Sequence, residues 1–90
     1  MPLPDQPAGR IRADVLTAHL AGEAVLLDLE AKRYYRLNAT AARIWKGLEE
    51  LLPPQQIVEA LVAEFDVERA TAQAETERAL GEFRASGLIT

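Results

Sequence analysis

His19 is the one histidine in this chain, and so the natural candidate for general acid–base work or for holding a metal. Either task needs a partner within hydrogen-bond reach, and the residues around His19 in sequence supply none, so it reads as a surface histidine on the non-core face of a strand. With no cysteine, there is no thiolate nucleophile, no disulfide and no thiolate zinc cluster. Phosphate-cradling, dinucleotide-binding, zinc-protease and serine-elbow patterns are absent. Glu68, Glu75, Glu77 and Glu82 interleave with Arg69, Arg78 and Arg84, which fits a solvated helix face better than an acid–base pair. The expectation is a protein without a catalytic site, metal or cofactor.

Two patterns suit binding. Tyr34-Tyr35 lies between Arg33 and Arg36, placing aromatic and cationic groups on one short segment. Further on, Ala72, Thr76 and Ala79 fall on the inward stripe of a long helical segment, where Leu or Ile would fill a core better. Small residues there permit close packing on a sheet, or leave a groove beside it. A groove next to an unpaired strand edge suits an extended peptide, which adds to the edge as one more strand.

The elements that would position these residues follow from periodicity. Leu16, Ala18 and Leu20 alternate with Thr17 and His19; Ala21-Gly22 can turn the chain; Val25, Leu27 and Leu29 then repeat at period two. Arg33–Leu37 forms a third strand with Tyr35 and Leu37 facing the core, completing an antiparallel meander. Asn38 can cap a helix bearing Ala41, Ile44, Trp45, Leu48 and Leu52 at helical spacing. Pro53-Pro54 ends it and opens a second helix with the stripe Ile57, Val58, Leu61 and Phe65. Asp66 would cap a third helix, Val67–Ala85, with Ala72, Thr76, Ala79, Leu80 and Phe83 inward and Gly87 just past its end. Leu88 and Ile89 tuck back onto the core. The predicted fold is α+β and winged-helix-like, a three-stranded antiparallel sheet followed by three α-helices.

Ninety residues hold one domain with one thin core. Residues 1–9 contain three of the five prolines and read as a flexible segment with nothing to bury, leaving 10–90 as the domain. No signal peptide and no membrane span is recognisable, so a cytoplasmic location is expected. The formal net charge is −4, and the basic cluster Lys32, Arg33 and Arg36 is flanked by acids. A winged-helix DNA binder would need a basic recognition helix. The third helix instead carries four acids against three arginines, and the second has Glu59 and Glu64 with no basic residue. A structural subunit whose groove is closed by a partner is a further reading that size alone permits.

Three segments resemble the PqqD-like family: Glu23-Ala-Val-Leu-Leu-Asp-Leu29, Arg33-Tyr-Tyr-Arg-Leu-Asn-Ala-Thr-Ala-Ala-Arg-Ile-Trp45, and the closing Leu80-x-x-Phe83-x-x-x-Gly-Leu-Ile89. The likeness runs from about Ile11 to Ile89. It implies a non-catalytic recognition element for ribosomally made, post-translationally modified peptides, with the leader of the precursor lying as an antiparallel strand between strand three and helix three. By position, the peptide-binding residues are Arg33, Tyr34, Tyr35, Arg36 and Leu37 on the strand, with Ala72, Glu75, Thr76, Ala79 and Leu80 on the helix. The "LLDLE…YYRLN" style resembles the stand-alone subunits of split lasso-peptide systems, which implies a separate leader peptidase as partner enzyme. A pyrroloquinoline-quinone biosynthesis chaperone of the same family is the alternative. Members often carry Gly in the turn between strands two and three; here Ala31-Lys32 stands there, implying a longer or different turn.

Overall fold

Ala21 and Gly22 take positive φ values of 50° and 81°, so the first two strands are joined by a tight two-residue turn. In the computed structural model, which describes residues 6–90, β1 is Val15–Leu20, β2 is Glu23–Asp28 and β3 is Arg33–Leu37. All pairings are antiparallel in the order β1-β2-β3, which leaves β1 and β3 as the two edges. The turn into β3 spans residues 29–32, and Lys32 itself adopts the left-handed conformation, φ 56°, that a glycine would otherwise fill.

Three helices follow: α1 Ala39–Glu49, α2 Pro54–Phe65 and α3 Arg69–Ala85. Asn38 caps α1 as expected, its side chain accepting from the Ala41 N–H at 2.9 Å. Pro54 opens α2 at a position where its missing N–H costs nothing. After α3, Gly87 turns left-handed (φ 73°) and the Leu88 N–H reaches back to the Phe83 carbonyl at 2.9 Å, so Leu88 and Ile89 drop onto the core. α1 packs on β2 and β3, and α2 packs against α3. Trp45 is fully buried at the centre, edge-on to Phe83 at 5.1 Å, and its indole N–H donates to the Thr17 hydroxyl at 2.9 Å.

Four expectations need correction. The helix-facing side of β1 and β2 is Val15, Thr17 and His19 with Ala24, Leu26 and Asp28; the opposite, more apolar set (Leu16, Ala18, Leu20, Val25, Leu27, Leu29) faces away from the helices. Trp45 explains Thr17, because its buried N–H needs an acceptor. Arg12 explains Asp28: its Nη2 lies 3.0 Å from Asp28 Oδ1, while the Glu30 and Ala31 N–H groups donate to that carboxylate at 3.1 Å. Second, His19 is therefore on the helix side, where its Nε2 lies 2.6 Å from Glu49 Oε1. Third, Asp66 does not start α3; it is the left-handed cap that ends α2 (φ 51°), and α3 begins two residues after Val67. Fourth, the N-terminal segment is not free of buried groups. Ala8 is buried with its N–H on the Leu52 carbonyl, although residues 1–5 of that segment lie outside the described residues.

Candidate functional site

The backbone of β3 decides what its edge can do. Val15 stands opposite Asp28, and the Leu29 N–H donates to the Asp14 carbonyl at 3.0 Å, flanking that pair. In an antiparallel ladder, residues of one strand bond alternately to either side. Val25 and Leu27 therefore bond toward β1, and Ala24, Leu26 and Asp28 toward β3. Their partners Leu37, Tyr35 and Arg33 bond back to β2, so the N–H and C=O groups of Tyr34 and Arg36 point outward from the sheet. The edge thus offers two residues, two positions apart, with free donors and acceptors.

Side chains follow the other alternation. Leu37 is buried and Tyr35 packs against the core, while Tyr34, 75% exposed, and Arg36 lie on the outer face of the sheet. A strand added along β3 would place its residues opposite Tyr35 and Leu37 toward α3, and those opposite Tyr34 and Arg36 on the outer face.

The helix side of this edge is open. A cleft of about 220 Å³ lies between β3 and α3, with Leu37, Ala41, Ile44, Ala79 and Phe83 forming its apolar lining and Arg36, Glu75, Arg78 and Glu82 its rim. It adjoins a second hollow of about 300 Å³, lined by Leu61, Phe65, Val67, Thr71 and Ala72, through the shared Asn38, Thr40, Glu75 and Arg78. Together they make a groove along one side of α3. The rim charges on α3 satisfy one another: Arg78 donates to Glu75 at 2.5 Å and to Glu82 at 3.4 Å, and Glu75, the nearer partner, raises the Arg78 pKa further above its ordinary value.

Of the residues expected from sequence, Arg36, Leu37, Glu75 and Ala79 meet in the cleft, and Ala72 lies in the adjoining hollow. Arg33, Tyr34 and Tyr35 are on the edge strand but do not line the cleft. Thr76 faces a different space of about 350 Å³ between α2 and α3, with Gln55, Val58 and Gln73, and its buried hydroxyl has no hydrogen-bond partner. Leu80 is buried in the core. Ala41, Ile44 and Phe83 were read only as core, and Asn38, Thr40 and Arg78 were not read as site residues. Their signal was faint: α1 starts with small residues at Ala39, Ala41 and Ala42, which keeps that end of the cleft open.

A larger cavity, about 560 Å³, lies on the far side of α1, lined by His19, Arg43, Lys46, Glu49 and Glu64 among others. None of its lining residues is a Ser, Thr or Cys, so no hydroxyl or thiol lies among the groups that share this cavity with the His19–Glu49 pair. Among the described residues, no group of three or more His, Cys, Asp or Glu side chains is placed to hold a metal ion. No helix among them is long and apolar enough to cross a membrane.

Residues 23–89 match the family profile described as Coenzyme PQQ synthesis protein D, PqqD. The chain belongs to the PqqD family. Two solved structures share this PqqD fold. TbiB1 in complex with the TbiA(beta) leader peptide is 36% identical, with a TM-score of 0.83, and the match covers 89% of this chain and 93% of that one. Lasso peptide synthetase B1 complexed with the leader peptide is 28% identical, with a TM-score of 0.82, covering 92% and 98%. No curated protein matches this PqqD-family chain.

Proposed function

We propose that this PqqD-family chain is a non-catalytic recognition element that binds the leader of a ribosomally made precursor peptide and presents it to a partner enzyme, a lasso leader peptidase. One observation carries the reading: β3 presents the outward backbone groups of Tyr34 and Arg36 along an edge that meets the open groove on α3 at Arg36 and Leu37. A leader added antiparallel to β3 gains main-chain hydrogen bonds from the edge and sets alternate side chains into the groove. Arg33–Leu37, Ala72, Glu75 and Ala79 are the contact residues in this arrangement, with Ala41, Ile44, Arg78 and Phe83 added. Thr76 and Leu80 act from beneath, as packing that holds α3 in place.

Ordering a flexible leader costs about 2–5 kcal/mol, so a Kd in the nanomolar-to-micromolar range is expected. Capture then raises the local concentration of the rest of the precursor at the enzyme, which is how a protein without catalytic groups accelerates a reaction. The enzyme would meet the outer face of the sheet, where Leu16, Leu20, Leu29 and Tyr34 are exposed and continuous with the peptide edge. The family description favours a second reading, a chaperone in coenzyme PQQ synthesis. The lasso assignment is preferred because the match to lasso peptide synthetase B1, at 28% identity, covers 92% of this chain and 98% of that one.

Paired substitutions test the groove. Ala79→Trp should fill the cleft and weaken leader binding in calorimetry while the protein remains folded. Thr76→Trp should instead lower the melting temperature, because overpacking a buried site costs about 1–3 kcal/mol. Equal leader affinity in folded Ala79→Trp and wild type would overturn the groove. For the enzyme, Leu16→Asp should reduce peptidase recruitment at unchanged leader affinity; unchanged recruitment would remove the outer face from the proposal.

A further inference from the structure

We infer that Arg36 selects an acidic residue at one defined position of the bound peptide, two side chains flanking it being the ones that enter the groove; this rests on the strand addition proposed above. A peptide strand antiparallel to β3 makes its hydrogen-bonded pairs at Tyr34 and Arg36, because those are the residues with free backbone groups. The peptide residue opposite Arg36 then projects onto the outer face, beside the guanidinium, while its two neighbours stand opposite Leu37 and Tyr35 and point toward α3. The recognition pattern is apolar, acidic, apolar.

The charge balance of the site supports this assignment. The chain is acidic overall, yet Lys32, Arg33 and Arg36 place three of its ten cations within five consecutive positions on this edge. On the opposite wall of the groove, Arg78 is already paired with Glu75 and Glu82. Among the described residues Arg36 is held only by Glu23, at 3.8 Å, with side chains 82% and 56% exposed. An exposed pair so loosely held contributes little, and leaves most of the cation's field available to an incoming strand. Opposite charges directly across an antiparallel pair attract and like charges repel, so the edge favours an acidic strand. The same cations disfavour edge-to-edge pairing with a second copy of this chain.

A display library of short linear peptides, selected separately on wild type, Arg36→Glu and Tyr34→Pro proteins, tests the inference. Wild type should enrich Asp or Glu between two apolar residues, and Arg36→Glu should enrich Lys or Arg at that position with the flanking residues unchanged. A double-mutant cycle on one selected peptide and its Glu→Lys variant, read by fluorescence anisotropy, should give coupling of up to about fivefold that shrinks at high salt. The same central charge preference on wild type and Arg36→Glu would overturn the role of Arg36. Tyr34→Pro separates strand addition from the charge preference: it should bind the selected peptide roughly 2- to 12-fold more weakly than wild type while keeping the acidic preference at the centre. Wild-type affinity for that peptide on folded Tyr34→Pro would overturn strand addition itself, and with it this inference.

Discussion

Proline substitutions along β3 give the sharpest check on the edge, because proline has no N–H and each position loses a different bond. At Tyr34 and Arg36 that N–H points away from the sheet, so proline there removes nothing from the β2–β3 ladder. The bound peptide, however, loses one donor. A net 0.5–1.5 kcal/mol per hydrogen bond corresponds to a roughly 2- to 12-fold weaker Kd for each substitution. At Tyr35 the N–H pairs with Leu26, a residue with 0% exposure at the middle of the sheet. Proline at 35 strands the Leu26 carbonyl inside the structure, at a cost of about 1–3 kcal/mol. In a domain of this size each kcal/mol lowers Tm by about 4–8 °C. Thermal melts beside anisotropy titrations with a labelled leader peptide should therefore divide the variants: Tyr34→Pro and Arg36→Pro folded and weak-binding, Tyr35→Pro destabilised. If the first two bind like wild type, the peptide does not join β3. If Tyr35→Pro melts like wild type, the deduced bonding register is wrong.

Two glycines of the helices should respond in opposite directions. A Cβ on Gly47 would lie 2.7 Å from Ile57 Cγ1 in the α1–α2 contact, so Gly47→Ala should lose about 1–2 kcal/mol in denaturant unfolding despite the better helix propensity. Nothing lies within 4 Å of a Cβ on Gly81, so Gly81→Ala should gain about 0.5–1 kcal/mol. Acid titration should expose the Asp28 network. The Ala31 N–H, then Arg12 and the Glu30 N–H, hold the Asp28 carboxyl below its ordinary range against the opposing effect of burial. A depressed folded-state pKa contributes stability that is complete above the unfolded value near 3.8 and is lost as the pH falls through the folded one. Wild type should lose stability across that acid window, and Asp28→Asn, less stable at neutral pH, should show a flatter profile there; parallel profiles would remove Asp28 from the acid response.

The helices were legible because their apolar residues repeat with the helical period and their boundaries carry local signals, Asn38, Pro54 and Gly87. The inward stripe of α3 was legible for the same reason: Ala72, Thr76, Ala79, Leu80 and Phe83 are all buried. That stripe has two flanks, though, one meeting α2 and one meeting β3. Nothing local in sequence says that Thr76 lies on the first and Ala79 on the second. Strand faces were misread because hydrophobicity was taken to mark the inside. Here the bulkier alternating set lies outside, and the inner set contains Asp28, whose buried carboxylate is held by the Ala31 and Glu30 N–H groups and by Arg12, which arrives from sixteen residues earlier. Asp66 was ambiguous in kind, since a residue that caps helices also tolerates the left-handed conformation that ends them.

The sheet's two margins are protected unequally. On β1 the outward groups belong to Val15, Thr17 and His19, and the Val15 N–H is already taken by the Arg12 carbonyl. The remainder of that margin has no lysine, arginine or proline to discourage docking of another strand, whereas β3 carries Arg33 and Arg36. In concentrated solution the first self-contacts would therefore form along β1. Because β1 and β3 are opposite borders of the same three strands, two molecules joined in that way would keep both of their cationic borders free, at the far ends of one continuous six-stranded sheet.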